Sequence, residues 1–166
     1  MPITPFHFGP GAVIHAVAPR HVSFLAFCAA NVLIDIEPLY YMLTDQERLH
    51  RFFHTYVGAS LVALATVALF LGCRWFARQF WLPNPFQWQS PGLLAVAIGA
   101  AAGTSSHIVL DSVMHSDITP FSPFSYANPL FRVITLPALH WFCLGSGAVA
   151  LLILGIRQFV DSRNAS

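Results

Sequence analysis

The chain has 166 residues, room for one domain and too few for two ordinary ones. Apolar residues make up 56% of it and Asp, Glu, Lys and Arg only 9%, against about 25% charged residues in a soluble domain, so a water-facing surface cannot be tiled. A net charge of +1, with every basic residue an Arg, excludes an electrostatic nucleic-acid binder, double-stranded partners included. The apolar content excludes disorder, and an integral membrane protein remains.

Met1 to Pro5 carries no positive stretch and no small-residue cleavage pattern follows, so no cleavable signal peptide is expected. Residues 5–18 and 22–36 are apolar and read as helices separated by Pro19, Arg20 and His21. Each is too short for a flat bilayer, which predicts a re-entrant hairpin or two short tilted helices in a locally thinned membrane. Residues 52–73, 79–110 and 133–156 contain no Asp, Glu, Lys or Arg, and each run reaches the roughly 20 residues a helix needs to cross the hydrocarbon core. Spans are therefore predicted over Tyr56–Cys73, Gly92–Met114 and Val133–Ile156. The expected fold is an all-α, integral membrane bundle of four to five helices forming one domain over residues 1–166.

Two connections have the composition of the membrane–water interface. One runs from Gln79 to Pro91 with Trp81 and Trp88, the other from Ser116 to Arg132 with Phe121, Phe124, Tyr126 and Phe131. The second reads either as an ordinary inter-helix loop or as a lid. Cys28, Cys73 and Cys143 sit singly in apolar runs and read as small packing residues.

An ionisable side chain near the middle of a membrane helix costs about 2.5–3.5 kcal/mol on insertion scales, so it has a partner or a function. Such residues gather in four places: His7; Asp35 and Glu37; His50 and His54; and His107, Asp111 and His115. On a helix, residues four apart stack on one face. His50 and His54 read as one such pair, and His107, Asp111 and His115 as two more, a spacing that can chelate a cation. Consecutive spans run antiparallel, so His50 and His54 before one span and His107 to His115 closing the next emerge on the same side. Asp35, Glu37 and His7 join them if residues 22–36 run toward that side and the first helix starts there. His140, two turns into the last span, reads as a packed interfacial histidine, and His15 and His21 as boundary residues. By the positive-inside rule, Arg20, Arg74, Arg78, Arg157 and Arg163 opposite against Arg48, Arg51 and Arg132 place the cluster outside the cytoplasm.

Histidine nitrogens with carboxylate oxygens suit Zn²⁺ first, and Mn²⁺ or Fe²⁺ as well. The donors exceed one tetrahedral shell, so one or two ions are expected; two can clamp the attacking and leaving oxygens of a phosphoester. Asp35 and Asp111 then serve as ligands, either able to bridge, with His50, His54 and His107 as terminal ligands and His7 as a further candidate. Glu37 or His115 is the candidate general base or acid. Arg51 is the candidate phosphate ligand through its planar donor fork.

The strings His50-Arg51-Phe52-Phe53-His54-Thr55 and His107-Ile108-Val109-Leu110-Asp111 resemble the two hallmark motifs of the YdjM-like family of bacterial inner-membrane metal-dependent hydrolases. His7-Phe8-Gly9 and Asp35-Ile36-Glu37 stand where that family carries His and Asp, and the resemblance covers roughly residues 5–130. This chain has Phe52 where the motif usually has Gly, Thr55 where it has Ser, and additional His115 and Asp117. The resemblance implies a helical inner-membrane protein distantly related to zinc-dependent phospholipase C and single-strand nucleases. It also implies His50, His54, His107, Asp111 and Asp35 as ligands.

The expected activity is hydrolysis of a phosphoester, small or lipid-linked, by metal-activated water, with membrane lipid as the surrounding partner. Two other readings stay open. One is a non-catalytic metal-binding or metal-transporting protein, of which transport favours ligands near mid-bilayer with access from both faces; the other is a structural protein that uses the same side chains only to join helices.

Overall fold

A backbone inside hydrocarbon must satisfy its own N–H and C=O groups, so long uncharged runs become helices. The computed structural model describes residues 4–164; residues 1–3, on which the signal-peptide reading partly falls, lie outside them. The described chain is all-helical. A 3-10 turn at Thr4–His7 leads into α1 (Phe8–Val17), followed by α2 (Phe24–Ile34), α3 (Ile36–Leu43), α4 (Tyr56–Gln79), a second 3-10 turn at Pro85–Gln87, α5 (Leu93–Met114) and α6 (Leu136–Asn164). Among the described residues, four segments are long and apolar enough to cross a membrane: Phe24–Leu43, which joins α2 to α3, and the three long helices α4, α5 and α6.

The three long spans fall where the uncharged runs place them, with α4 and α6 continuing several residues further. The N-terminal third corrects the expectation. The helix read as ending at residue 36 breaks only at Asp35 and continues to Leu43. Pro38 does not stop it, because it takes the third position of α3, where no intrahelical partner for its missing N–H is needed. By contrast, α1 is ten residues long, about 15 Å at 1.5 Å per residue, and cannot cross.

Helix α5 is the centre of the bundle, packed on α2 and α4. Small residues allow this: a Cβ on Gly99 would meet the Ser23 carbonyl, and one on Gly103 would meet the Phe27 carbonyl. The Ser23 N–H donates to Ala95 O at 2.9 Å, and its hydroxyl caps α2 by accepting from the Ala26 N–H. Helix α1 lies on α6, with Gly9 directly against the Cys143 carbonyl. Its last turn is tied down by Arg157, which donates to Ala16 O.

The Ser116–Arg132 segment is an ordered cap. Ile118 and Pro120 are fully buried, the Tyr56 N–H donates to Pro120 O at 2.8 Å, and Asn128 donates to the Ser112 and His115 carbonyls. Of the cysteines, Cys143 packs with Leu110, Val113 and Leu139, whereas Cys73 is exposed on α4 and does not serve as a packing residue.

Candidate metal centre

The alternating helix directions bring the start of α1, the end of α2, the start of α4 and the end of α5 to one end of the bundle. Four side chains from three of these elements meet there. One ligand atom from each of Asp35, His54, His107 and Asp111 lies within 4.8 Å of all the others. A second group, His50, Asp111 and His115, meets the same criterion and shares Asp111 with the first.

His107 and Asp111, four apart on α5, supply the rigid half of the first group. His107 Nε2 is 3.2 Å from Asp111 Oδ2 and 3.2 Å from Asp35 Oδ1. His54 Nε2 closes the group at 3.6 Å from Asp111 Oδ2 and 3.8 Å from Asp35 Oδ1. Donor atoms arranged tetrahedrally at zinc's usual bond lengths stand about 3.3 Å apart, so the group is close to the size of such a shell. Both imidazoles are fully buried. His54 Nδ1 and Nε2, His107 Nε2 and Asp111 Oδ1 nonetheless lack a properly oriented hydrogen bond. Buried polar atoms without partners call for an explanation, and imidazole nitrogens beside two carboxylates match a divalent cation in donor type.

The pair read as helical, His50 and His54, is not on a helix. Both precede α4 in an irregular loop, because Thr55 is the residue that starts it. The Thr55 hydroxyl accepts from the Gly58 N–H at 3.0 Å and donates to Phe52 O at 2.8 Å, and a Cβ on Gly58 would meet that same carbonyl. The loop is thereby wrapped on the helix start, and the two rings still meet with centroids 4.7 Å apart. His115 likewise leaves the helix: it ends α5 in extended conformation, and its ring lies 4.3 Å from that of His50.

Other side chains hold these donors. Asn31, one turn before Asp35, donates its amide to Phe27 O, which turns its oxygen toward His107 Nδ1 at 3.0 Å. The Nδ1 proton of His107 therefore goes to Asn31, leaving the Nε2 lone pair for an ion. His7 Nδ1 is 3.2 Å from the same His107 nitrogen and must present its lone pair. The His7 proton then sits on Nε2, 3.3 Å from Asp111 Oδ1. Burial pulls the His7 imidazole down to about 4 despite the Asp111 charge, so it is neutral at neutral pH. His7, a candidate ligand by sequence, stands outside both groups as the partner of Asp111.

Glu37 faces His54 Nδ1 at 3.7 Å, and its Oε2 accepts the Phe53 N–H at 2.8 Å and the Arg51 N–H at 3.2 Å. It holds the histidine loop. Arg51, the candidate phosphate ligand, turns its guanidinium over the Tyr41 ring at 3.8 Å and donates to Arg48 O and Gln46 Oε1. Asp117 accepts from the His50 backbone N–H at 3.1 Å and lies 3.0 Å from His50 Nδ1. Burial alone would raise the Asp117 carboxyl, but the His50 amide and imidazole outweigh that and hold it below its usual range.

His140 packs on Phe6, and His15 bonds Val22 O at the other end of α1; neither joins the centre. Sequence reasoning gave no role to Asn31 or Asp117. Their signals were an amide one turn from Asp35 in an apolar helix and a carboxylate two residues past His115. Searches of protein-family models, curated proteins and solved structures find no match to this chain.

Proposed function

We propose that this protein is a membrane-embedded, metal-dependent hydrolase acting on a phosphoester carried by a lipid. The observation that carries the reading is the buried Asp35–His54–His107–Asp111 group with its orienting partners already in place. Asp35, His54, His107 and Asp111 would hold Zn²⁺, or Mn²⁺ or Fe²⁺ with the same donors. Such an ion supplies Lewis-acid activation of water and of a phosphoryl oxygen. The resemblance to the YdjM-like hydrolases accords with this reading, and Thr55, where their motif has Ser, caps the helix as either residue type does.

A lipid-borne substrate is supported by how the group opens. The Asp35 side chain is 28% exposed, whereas His54 and His107 are sealed. Around Asp35 the exposed neighbours are Val32, Ile36 and Leu39. An apolar groove of about 430 Å³ between α2 and α4 is lined by Leu25, Ala29, Val32, Leu33, Leu69 and Trp88, and Val32 lies one helical turn before Asp35. An acyl chain in that groove would carry its headgroup phosphate to the exposed ligand. We place the centre on the outer side of a bacterial inner membrane, since Arg20, Arg74, Arg78, Arg157 and Arg163 lie at the opposite end.

The test is metal content and phosphodiesterase activity of the purified protein in lipid nanodiscs. Wild type is expected to carry stoichiometric metal and to release a phosphorylated headgroup from phospholipid. His107→Ala is expected to lose both. A His107→Ala protein retaining the wild-type metal content would refute the reading.

A further inference from the structure

We propose that His50, Asp111 and His115 form a second divalent-cation site, sharing Asp111 with the first. The inference rests on the metal-centre reading above and extends it to a paired centre. The three ligand atoms come within 4.8 Å of one another, and they come from three directions: the loop before α4, the last turn of α5, and the residue that ends it. The His50 and His115 rings face each other at 4.3 Å. His50 is buried, and its Nδ1 is committed to Asp117 at 3.0 Å, which leaves the Nε2 lone pair available. This is the carboxylate–histidine arrangement that orients metal-binding imidazoles. Asp111 is almost fully buried, and its Oδ1 faces only His7 Nε2, at 3.3 Å, so this second oxygen keeps a lone pair for another ion.

Charge gives an independent argument. Across the two groups, Asp117 lies against His50, Glu37 against His54, and Asp35 and Asp111 against His107. The neighbouring guanidiniums of Arg48 and Arg51 bond Thr119, Gln46 and backbone carbonyls instead of these carboxylates. One dication balances two of the four negative charges; two dications balance all four, which matters where water is scarce. The first site has four protein ligands and the second three, so the second is expected to bind more weakly and to keep an open position, as catalytic sites do.

The experiment is a Mn²⁺ titration of the purified, metal-stripped full chain in detergent, followed by calorimetry and electron paramagnetic resonance. Two binding steps are expected in wild type, and at two equivalents the six-line Mn²⁺ signal should collapse through exchange across the shared carboxylate. His115→Ala should lose the second step and keep the first, which also reports that the variant is folded. Asp117→Asn should weaken the second step about 10–100-fold, the usual effect of losing an orienting carboxylate, and spare the first. One step in wild type with no change in His115→Ala would overturn the second site and leave the four-ligand centre standing. Two steps with an undiminished six-line signal would overturn the sharing of Asp111. No binding at all would overturn both readings.

Discussion

Replacing Asp111 by asparagine is expected to abolish high-affinity metal binding at both sites while leaving the bundle assembled. The substitution keeps the side chain's volume, so the buried packing around it is undisturbed. It removes the one carboxylate that touches His7, His54 and His107 and belongs to both ligand groups. Losing an orienting partner of a metal ligand costs about 10–100-fold in affinity; losing a ligand itself should cost at least the upper end of that range, roughly 3 kcal/mol or more. Equilibrium dialysis against Mn²⁺ or Zn²⁺ measures it, and phosphodiesterase activity should fall in step. Wild-type metal content in Asp111→Asn would make Asp111 only a hydrogen-bonding link between helices.

The second large effect concerns Glu37 and separates two roles for it. Sequence reasoning offered Glu37 as a general base, which predicts that removing its charge lowers the rate and shifts the pH profile while metal affinity stays put. The structure gives it a positioning role instead, since Oε2 accepts from the Phe53 and Arg51 amides and faces His54. Glu37→Ala should therefore release the loop that carries His54 and weaken metal binding about 10–100-fold, with a further loss of about 1.5–3 kcal/mol of stability for each charged hydrogen bond removed. Glu37→Gln keeps an acceptor oxygen for the amides and should retain most of the affinity. Calorimetry on the two variants decides, since a base that plays no part in holding the loop would leave the affinity of Glu37→Ala at the wild-type value.

Much of the architecture was legible because the bilayer imposes one requirement, a long uncharged helix, that a sequence displays openly. Residues 52–73, 79–110 and 133–156 announce α4, α5 and α6, and alternation of direction then forces His54 and Asp111 to the same end. The 3.6-residue period explains His107 with Asp111 because both are inside α5. It misled for His50 and His54, whose identical spacing falls in a loop; what joins them is the Thr55 cap and the close approach of Gly58 to Phe52, neither of which is a periodic signal. The helix read over residues 22–36 runs on past Pro38, which sits in a helix's first turn, because the preceding helix breaks at Asp35. The orienting residues were hardest to see. Asn31 and Asp117 are single polar residues whose meaning comes from atoms 76 and 67 positions away.

The cap formed by the Ser116–Arg132 segment has a kinetic consequence. It is tied to the start of α4 through Pro120, to the end of α5 through Val113 and Asn128, and to the histidine loop through Asp117 and Arg48. An ion held by His50, which these ties fix in place, can leave no faster than the histidine loop comes free, whereas the first group also opens on its Asp35 side. Stripping of that ion by a chelator should accordingly be unimolecular: its rate rises with chelator concentration only to a plateau, and that plateau measures how often the cap opens. Asp117→Asn, which removes one tie, should raise the plateau, and stopped-flow traces at increasing chelator would record it.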